Sequence, residues 1–139
     1  ALAYPSPTGR YIVVDFGTAT TFDLVEAPNR YLGGAIAIGP QTAADALAQR
    51  TAKLPRIDLT PPKAAVGKNT LEALRSGLVL GYAALVEGMV RRFKEEAGEA
   101  LVIATGGFAE TLRPPCPCFD VVDEDLTLKG LLRIHLERG

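Results

Sequence analysis

The alternation of apolar and polar residues divides the chain into short strands and amphipathic helices. Apolar runs rich in β-branched residues predict five strands, at residues 11–15, 20–26, 30–38, 100–104 and 119–122. Apolar residues at helical spacing predict four helices, at residues 42–53, 69–97, 108–112 and 126–136. The segment from Ala1 to Tyr4 is predicted to end a preceding helix. Three strands in succession predict an antiparallel meander, and the later strands alternate with helices. The 139 residues therefore predict a single α/β domain.

The longest helix carries its own start and stop signals. Asn69 is a good N-cap residue, Glu72 completes a capping box three positions later, and Gly98 supplies the stop. Residues 126–136 predict a final amphipathic helix, and the prolyl connection 55–68 is long enough to be functional or mobile.

Small residues form a smooth seam along this long helix. The seam consists of Ala73, Gly77, Gly81 and Ala84. Each helical glycine costs about 1 kcal/mol relative to alanine, so the close approach of another backbone is expected to compensate. That backbone belongs either to the domain's own sheet or to a second subunit. The helix is longer than one small sheet would cover, which favours a homodimer through helix 69–97.

Charge and cysteine content exclude several classes of function. Fifteen basic and sixteen acidic residues create no field that would attract nucleic acid or an anionic membrane. No apolar run approaches the roughly 20 residues of a membrane span, and there is no signal-peptide pattern. Cys116 and Cys118 lack further ligands for zinc apart from the distant His135. Two free thiols in a reducing cytoplasm are expected.

The segment from Val13 to Asp23 contains the densest candidate chemistry. It predicts a strand ending in Asp15, a turn at Gly17-Thr18, and a returning strand. Backbone N–H groups and hydroxyls at such a tip suit phosphate oxygens, because a concave turn of donors attracts an anion. The Asp15 carboxylate cannot bind phosphate, but it can hold a cation that does. The alternative is an ordinary hairpin in which Asp and Thr cap the turn.

A second glycine turn, Thr105-Gly106-Gly107, lies between a predicted strand and a helix, where a ligand can approach the backbone.

The sequence lacks several common nucleotide-binding and catalytic motifs. Gly67-Lys68-Asn69-Thr70 lacks the first glycine and the final Ser or Thr of a P-loop, and it follows no strand. No G-x-G-x-x-G or G-x-S-x-G segment occurs, which argues against a Rossmann site and a hydrolase elbow.

Several blocks across nearly the whole chain carry a family resemblance. They are Asp15-Phe16-Gly17-Thr18-Ala19-Thr20-Thr21-Phe22-Asp23, Tyr31-Leu32-Gly33-Gly34-Ala35-Ile36, Arg50-Thr51-Ala52-Lys53-Leu54-Pro55, Gly67-Lys68-Asn69-Thr70, Ser76-Gly77, Gly81-Tyr82, Ala104-Thr105-Gly106-Gly107 and Asp125-Leu126-Thr127-Leu128-Lys129-Gly130-Leu131. In this order they resemble type III pantothenate kinases of the acetate kinase–sugar kinase–Hsp70–actin superfamily. The resemblance implies a ribonuclease-H-like (actin-like ATPase) fold.

The resemblance also implies a function and its cofactors. Such enzymes phosphorylate pantothenate to 4'-phosphopantothenate with ATP and Mg²⁺, the first step of coenzyme A biosynthesis, as cytoplasmic homodimers. By position, Asp15 resembles the ligand of the required monovalent cation, K⁺ or NH₄⁺. Gly17-Thr18 resembles the ATP-phosphate contact, Thr105-Gly106-Gly107 the adenosine-side loop, and Thr70 the pantothenate contact.

Two departures from the family pattern affect these expectations. The family continues Gly-Gly-Ala-Ile with a Pro-Gly pair, whereas this chain has Ala37-Ile38-Gly39-Pro40, which shifts a turn by one residue. Family members also carry a first phosphate loop and a Gly-x-Asp-Arg block, whose aspartate is the proposed catalytic base. The resemblance places both N-terminal to Ala1, so no catalytic residue is expected within residues 1–139. The chain is expected to be the C-terminal half of the kinase, and inactive alone.

Two other functions compete with this interpretation. A stand-alone half could bind a nucleotide or a partner as a non-catalytic regulator, but it would not need Asp15, Thr18, Thr70 and the glycine turn together. Another sugar or acetate kinase relative would share the hairpin, but not the blocks at 50–55 and 67–70. Both alternatives are therefore less favoured than the pantothenate kinase half.

Overall fold

The computed structural model describes residues 3–50 and 56–139 and contains one five-stranded sheet. Its strands are β1 (Arg10–Phe16), β2 (Ala19–Glu26), β3 (Arg30–Ile38), β4 (Leu101–Gly106) and β5 (Val121–Val122). Their spatial order is β3-β2-β1-β4-β5. The first three strands pair antiparallel, whereas β4 lies parallel to both β1 and β5. The predicted meander and the ribonuclease-H-like arrangement are confirmed.

The helices follow the predicted order with altered ends. They are α1 (Pro40–Arg50), α2 (Thr70–Arg75), α3 (Gly81–Ala97), α4 (Ala109–Leu112) and α5 (Leu126–Arg138). Helix α1 begins two residues earlier than predicted, because the fixed φ of proline suits the first helical position. The predicted end of this helix, at 51–53, lies outside the described residues, as does most of the block 50–55.

The N-terminal segment differs from its prediction where the structure describes it. Ala3 and Tyr4 form a turn and a bend instead of the predicted helix end, and Pro5 follows them directly. A proline disfavours helical backbone at the residue before it, which accounts for the bend. Ala1 and Leu2 lie outside the described residues, so the prediction for the start of this segment stays a prediction.

One face of the sheet packs against the long helix to form the core. Alternate residues of β1, namely Ile12, Val14 and Phe16, are buried on this face, as expected from the two-residue period of a strand. Helix α3 contributes Val86 and Val90 to the same cluster. Each such buried side chain contributes about 1.5–3 kcal/mol to stability.

A π-helical turn, Ser76–Leu80, joins α2 to α3 and makes one continuous helix, Thr70–Ala97. Its start is capped as predicted, because the Asn69 Oδ1 accepts a hydrogen bond from the Glu72 N–H at 2.9 Å. The reciprocal bond differs: the Glu72 Oε2 accepts from the Lys68 N–H at 2.8 Å. The helix ends at Gly98, whose φ of 84° belongs to the left-handed region.

The small-residue seam does not pack on the chain's own sheet. All four seam residues are exposed. A Cβ added at Gly77, Gly81 or Gly88 would meet no atom within 4 Å in the described structure. The domain's own packing therefore does not explain why these positions are small.

The helix Thr70–Ala97 is long and apolar enough to cross a membrane, which the sequence analysis did not anticipate. A third of its most apolar window is buried in the domain. The test considers only length and composition, and the core helix of a water-exposed domain also passes it. A single helix of this kind is weak evidence for a membrane span.

Two apolar surfaces lie outside the core. Helix α5 was predicted to be amphipathic, but none of its residues is buried, and Leu131 is 59% exposed. On the edge strand β3, Ile36 is 80% exposed. Exposed apolar patches of this kind are typical of interaction surfaces.

Candidate functional site

The turn between β1 and β2 is held in place by the start of α1. The Thr18 carbonyl accepts hydrogen bonds from the Gly39 N–H at 2.9 Å and from the Thr42 hydroxyl at 2.8 Å. The Gly17 N–H donates to the Ala19 carbonyl at 3.0 Å. This N–H is therefore used inside the turn and is not free for an anion. The prediction that backbone N–H groups at the tip face a phosphate is wrong for Gly17. Gly17 and Thr18 themselves are exposed.

Glycines allow two other segments to contact this turn closely. A Cβ at Gly39 would lie 2.2 Å from the Gly17 carbonyl oxygen, so no other residue fits there without a backbone shift. A Cβ at Gly106 would lie 2.4 Å from the Phe16 carbonyl oxygen, and its φ of 91° also favours glycine. The hairpin tip is thus flanked by the α1 turn and by the glycine turn after β4.

Helix α3 supports the turn that leads into α1. The Tyr82 hydroxyl donates to the Ile38 carbonyl at 3.0 Å. Burial raises the pKa of Tyr82, so its hydroxyl keeps its proton and remains a donor at neutral pH. The family's Pro-Gly departure falls at this turn, where Gly39 backs the hairpin and Pro40 opens the helix.

These segments enclose a cavity of about 510 Å³. Its lining residues come from the hairpin, the first turn of α1 and the glycine turn: Phe16, Gly17, Thr18, Pro40, Gln41, Thr42, Asp45, Gly107 and Phe108. The first N–H groups of a helix lack partners within the helix and attract anions. Helix α1 has 11 residues and can act in this way, whereas α4 has only four residues. The anion-attracting terminus is thus that of α1, not of the helix after Gly107.

Asp15 lies on the opposite face of the sheet from Phe16, because successive strand residues alternate. Its register partners are Thr21 on β2 and Thr105 on β4. The half-buried Asp15 carboxylate thus has a threonine beside it on each neighbouring strand, and the Thr21 hydroxyl donates to the Asp23 Oδ2 at 3.4 Å. Carboxylate and hydroxyl oxygens suit a hard cation of low charge. Among residues 3–50 and 56–139, no three His, Cys, Asp or Glu side chains are grouped to hold a metal ion.

Thr70 opens helix α2 and does not line the hairpin cavity. A cleft of about 560 Å³ lies between the prolyl connection and α2, and Lys63, Lys68, Glu72 and Arg75 help to line it, whereas Thr70 does not. The connection is attached to the helix, because the Arg75 Nε donates to the Asp58 carbonyl at 3.1 Å.

The connection also packs tightly at Gly67, where a Cβ would lie 2.3 Å from the Ala73 backbone nitrogen. The connection is therefore attached to α2 at Asp58 and at Gly67, although most of its described residues are exposed.

The structure brings together some of the predicted site residues but not all of them. Gly17, Thr18 and Gly107 line one cavity, and Gly106 contacts its wall. Asp15 and Thr105 are adjacent at the strand ends behind it. Thr70 lines neither this cavity nor the cleft beside α2. The aspartate base that the resemblance places N-terminal to Ala1 is not among the described residues, and neither is Ala1 itself, so its position relative to the cavity stays a prediction.

Sequence reasoning missed part of the cavity wall, contributed by Gln41, Thr42, Asp45 and Phe108. Pro40 at the start of a helix, next to Gly39, was the available signal for the first turn of α1. Phe108 packs edge-on against Phe16 with ring centroids 6.1 Å apart, a long-range contact that no local pattern predicts.

Comparisons with known proteins identify the family of this chain. The sequence profile of the family described as type III pantothenate kinase matches residues 1–92. The chain is 99% identical over 139 residues to a type III pantothenate kinase from Thermus thermophilus, covering 100% of this chain and 55% of that relative. It is 53% identical over 129 residues to one from Deinococcus radiodurans, covering 92% of this chain and 49% of the relative. The chain thus spans about half the length of these curated relatives.

A solved structure from Campylobacter jejuni, described as a Baf family transcriptional activator, superposes with a TM-score of 0.67. The match covers 94% of this chain and 59% of that one, at 23% identity, and it supports the fold alone. The family profile matches well over half of the chain. The chain therefore belongs to the type III pantothenate kinase family.

Proposed function

We propose that the full-length protein containing this chain transfers a phosphoryl group from ATP to pantothenate, giving 4'-phosphopantothenate, and that residues 1–139 supply its C-terminal half. Family membership supports the reaction, and the match to about half of each relative's length supports the division. The observation that carries the proposal is the cavity of about 510 Å³ at the hairpin tip. It combines a threonine hydroxyl, a glycine turn and a helix N-terminus.

The ATP phosphates bind at the hairpin end of this cavity. The exposed Thr18 hydroxyl and the first-turn N–H groups of Gln41 and Thr42 supply hydrogen bonds to phosphate oxygens without a fixed positive charge. The adenosine side lies toward Thr105-Gly106-Gly107, where Gly107 leaves open space next to the backbone. Phosphoryl transfer depends chiefly on positioning and electrostatic stabilisation, which such an arrangement supplies.

A monovalent cation, K⁺ or NH₄⁺, binds at Asp15. The carboxylate and the neighbouring Thr21 and Thr105 residues provide oxygen donors of low total charge, which fit such an ion. When bound, the ion and the Mg²⁺ that accompanies ATP neutralise phosphate charge.

Pantothenate binds at Thr70, in the full-length protein rather than in this half alone. The Asn69 cap and the packed connection hold the first turn of α2 in place, so the hydroxyl is presented from a rigid element. The catalytic base is an aspartate of the N-terminal half, before the position of Ala1. The protein is a cytoplasmic homodimer joined through helix 69–97, whose exposed seam allows close approach of a second backbone.

A substitution at Thr18 tests the ATP site. In the full-length protein, Thr18→Val keeps the side-chain shape and removes the hydroxyl. We expect kcat/KM for ATP to fall at least about tenfold, the equivalent of one hydrogen bond of about 1.4 kcal/mol to a charged group. The matched control is Thr127→Val, an exposed position in α5. Unchanged kinetics in Thr18→Val would reject the proposed ATP site. A full-length wild-type protein without pantothenate kinase activity would reject the proposed function.

A second experiment tests the cation site. We expect Asp15→Asn to raise the K⁺ concentration needed for half-maximal activity at least about tenfold, because the amide no longer attracts the ion. Glu124→Gln, an exposed carboxylate outside the site, is the control. An unchanged K⁺ dependence in Asp15→Asn would assign the cation to other residues.

A further inference from the structure

Two free cysteines lie together in the loop between α4 and β5. Cys116 and Cys118 belong to the segment Pro114-Pro115-Cys116-Pro117-Cys118, and their Sγ atoms are 3.0 Å apart. Cys116 is completely buried and its Sγ lies 4.0 Å from the Ala83 carbonyl of α3. Cys118 is half-buried. The two thiols are therefore close together but unequal in their access to solvent.

Cys118 opens onto a surface cleft of about 490 Å³. Besides Cys118, the cleft is lined by residues of α3 and the loop that follows it: Glu87, Val90, Arg91, Lys94, Glu95 and Glu99. Lys94 pairs with Glu99 at 3.1 Å, and Arg91 with Glu95 at 3.8 Å. A small polar molecule in this cleft reaches the Cys118 sulfur before it reaches Cys116.

The hydrogen bond between the thiols makes them chemically different. It lowers the pKa of Cys118, whose thiolate accepts the bond, and the charge of Lys94 acts in the same direction. Burial and the nearby Glu87 oppose this shift. The same hydrogen bond, together with burial, raises the pKa of Cys116. The accessible sulfur thus ionises first, while the buried one retains its proton.

We propose that Cys116 and Cys118 form a redox-active dithiol that is oxidised to an intramolecular disulfide by exchange with a small disulfide. The accessible thiolate is the nucleophile, and the buried thiol 3.0 Å away resolves the first product. This reactivity is independent of the proposed kinase site.

The exchange proceeds in two steps that balance. The Cys118 thiolate attacks one sulfur of R–S–S–R, the S–S bond breaks, and RS⁻ leaves and takes a proton. The Cys116 thiol then loses its proton to solvent and attacks the Cys118 sulfur, and a second RS⁻ departs and is protonated. Two protein thiols are oxidised and one disulfide is reduced to two RSH. Only Pro117 separates the cysteines, so the ring is small and strained, which makes the disulfide easy to reduce again.

The test uses the full-length protein in buffers of reduced and oxidised glutathione, followed by rapid alkylation and intact mass measurement. In the wild type we expect a mass lower by about 2 Da, loss of both alkylatable thiols at positions 116 and 118, and recovery with dithiothreitol. A wild-type protein that keeps both thiols in excess oxidised glutathione, or that stops at the mixed disulfide, would overturn the proposal.

Single variants separate the two roles. Cys116→Ser is expected to stop at the mixed disulfide on Cys118, with a mass higher by about 305 Da. Cys118→Ser is expected to react at least about tenfold more slowly, because its remaining thiol is buried and protonated. Equal rates in the two variants would contradict the assignment. Cys116→Ala provides a second test if the serine is poorly tolerated in the core, since it also lacks the resolving thiol.

Discussion

At the scale of single residues, close backbone contacts determine the shape of the hairpin cavity. Gly39 and Gly106 both lie against carbonyl oxygens of the β1–β2 hairpin, at distances that exclude a Cβ. Gly17 and Gly107, by contrast, have room for a side chain and leave the cavity open. Glycine therefore has two roles here, permitting contact at two positions and access at two others.

Gly39→Ala tests the contact with the hairpin tip. The new methyl group must displace the Gly17 carbonyl, so we expect the free energy of unfolding to fall by roughly 1–3 kcal/mol and the affinity for ATP to decrease. Thermal unfolding and calorimetric titration of the full-length protein measure the two effects. Gly130→Ala is the control, because an added Cβ there meets nothing within 4 Å and should not destabilise. An unaffected Gly39→Ala variant would contradict the close packing of the tip.

Asp123 forms a second local centre, away from the cavity. It is 7% exposed and accepts hydrogen bonds from the Tyr4 hydroxyl at 2.5 Å and from the Lys129 Nζ at 2.9 Å. These hydrogen bonds lower the pKa of Asp123 below its usual range, and the bond from Tyr4 has the largest effect. They raise the pKa values of Tyr4 and Lys129. The cluster joins the N-terminal segment to the start of α5.

This arrangement predicts a specific pH dependence of stability. Because the folded pKa of Asp123 is lowered, its contribution is complete above the usual carboxyl pKa of about 4 and is lost as the pH falls through the folded value. We expect Asp123→Asn to lower Tm at pH 7, and the difference from wild type to shrink below about pH 4. Glu124→Gln, its exposed neighbour, should show no such pattern. A difference that stays constant down to about pH 2 would rule out the ionised carboxylate as the cause.

At the scale of elements, the long helix Thr70–Ala97 has two different sides. One side places Leu78, Val86 and Val90 in the core, while the seam at Gly77 and Gly81 faces open space. The core accounts for the apolar pattern of the helix, and the proposed subunit contact accounts for its glycines.

Gly81→Leu tests the subunit contact. Leucine favours a helix more than glycine does and a Cβ meets no atom of its own chain within 4 Å at this position, so the protomer should remain folded. We expect the dimer dissociation constant of the full-length protein to rise at least about tenfold in sedimentation measurements. Gly81→Ala keeps a small side chain and should preserve the dimer. A stable dimer in Gly81→Leu would place the interface elsewhere.

At the scale of the whole molecule, α5 and β3 expose apolar residues of the kind found at protein interfaces. Leu128 is 66% exposed and Leu136 is 69% exposed on α5, and Tyr31 is 65% exposed on β3. The curated relatives are about twice as long as this chain. Both observations support the proposal that this chain is one half of a two-half kinase.

The isolated 139-residue chain is therefore expected to show no pantothenate kinase turnover. In the proposed arrangement the catalytic base and first phosphate loop lie in the other half, and positioning accounts for most of phosphoryl transfer. The intact mass of the assayed protein, compared with 14.7 kDa, must accompany this assay. Turnover by a protein of 14.7 kDa would contradict the division of labour. A mass near twice that value would mean that both halves were assayed.

Local patterns in the sequence were sufficient to predict most elements. The strands β1 to β3 were predicted within one residue because β-branched runs end at glycine, proline or asparagine turns. The cap at Asn69 and the stop at Gly98 depend only on neighbouring residues. The turns at Gly17-Thr18 and Gly106-Gly107, which border the cavity, were also visible, because glycine and hydroxyl residues mark them locally; their role in binding ATP stays a prediction.

Only the tertiary structure decided which of these segments meet. The α1 terminus, with Gln41 and Thr42, completes the cavity because Gly39 lies against the hairpin, and this contact joins segments that are far apart in the sequence. The same applies to the pairing of Asp15 with Thr105, which follows from the parallel register of β1 and β4. Sequence determined the elements because hydrogen bonding and apolar periodicity are local. Packing determined the site because it depends on contacts between distant parts of the chain.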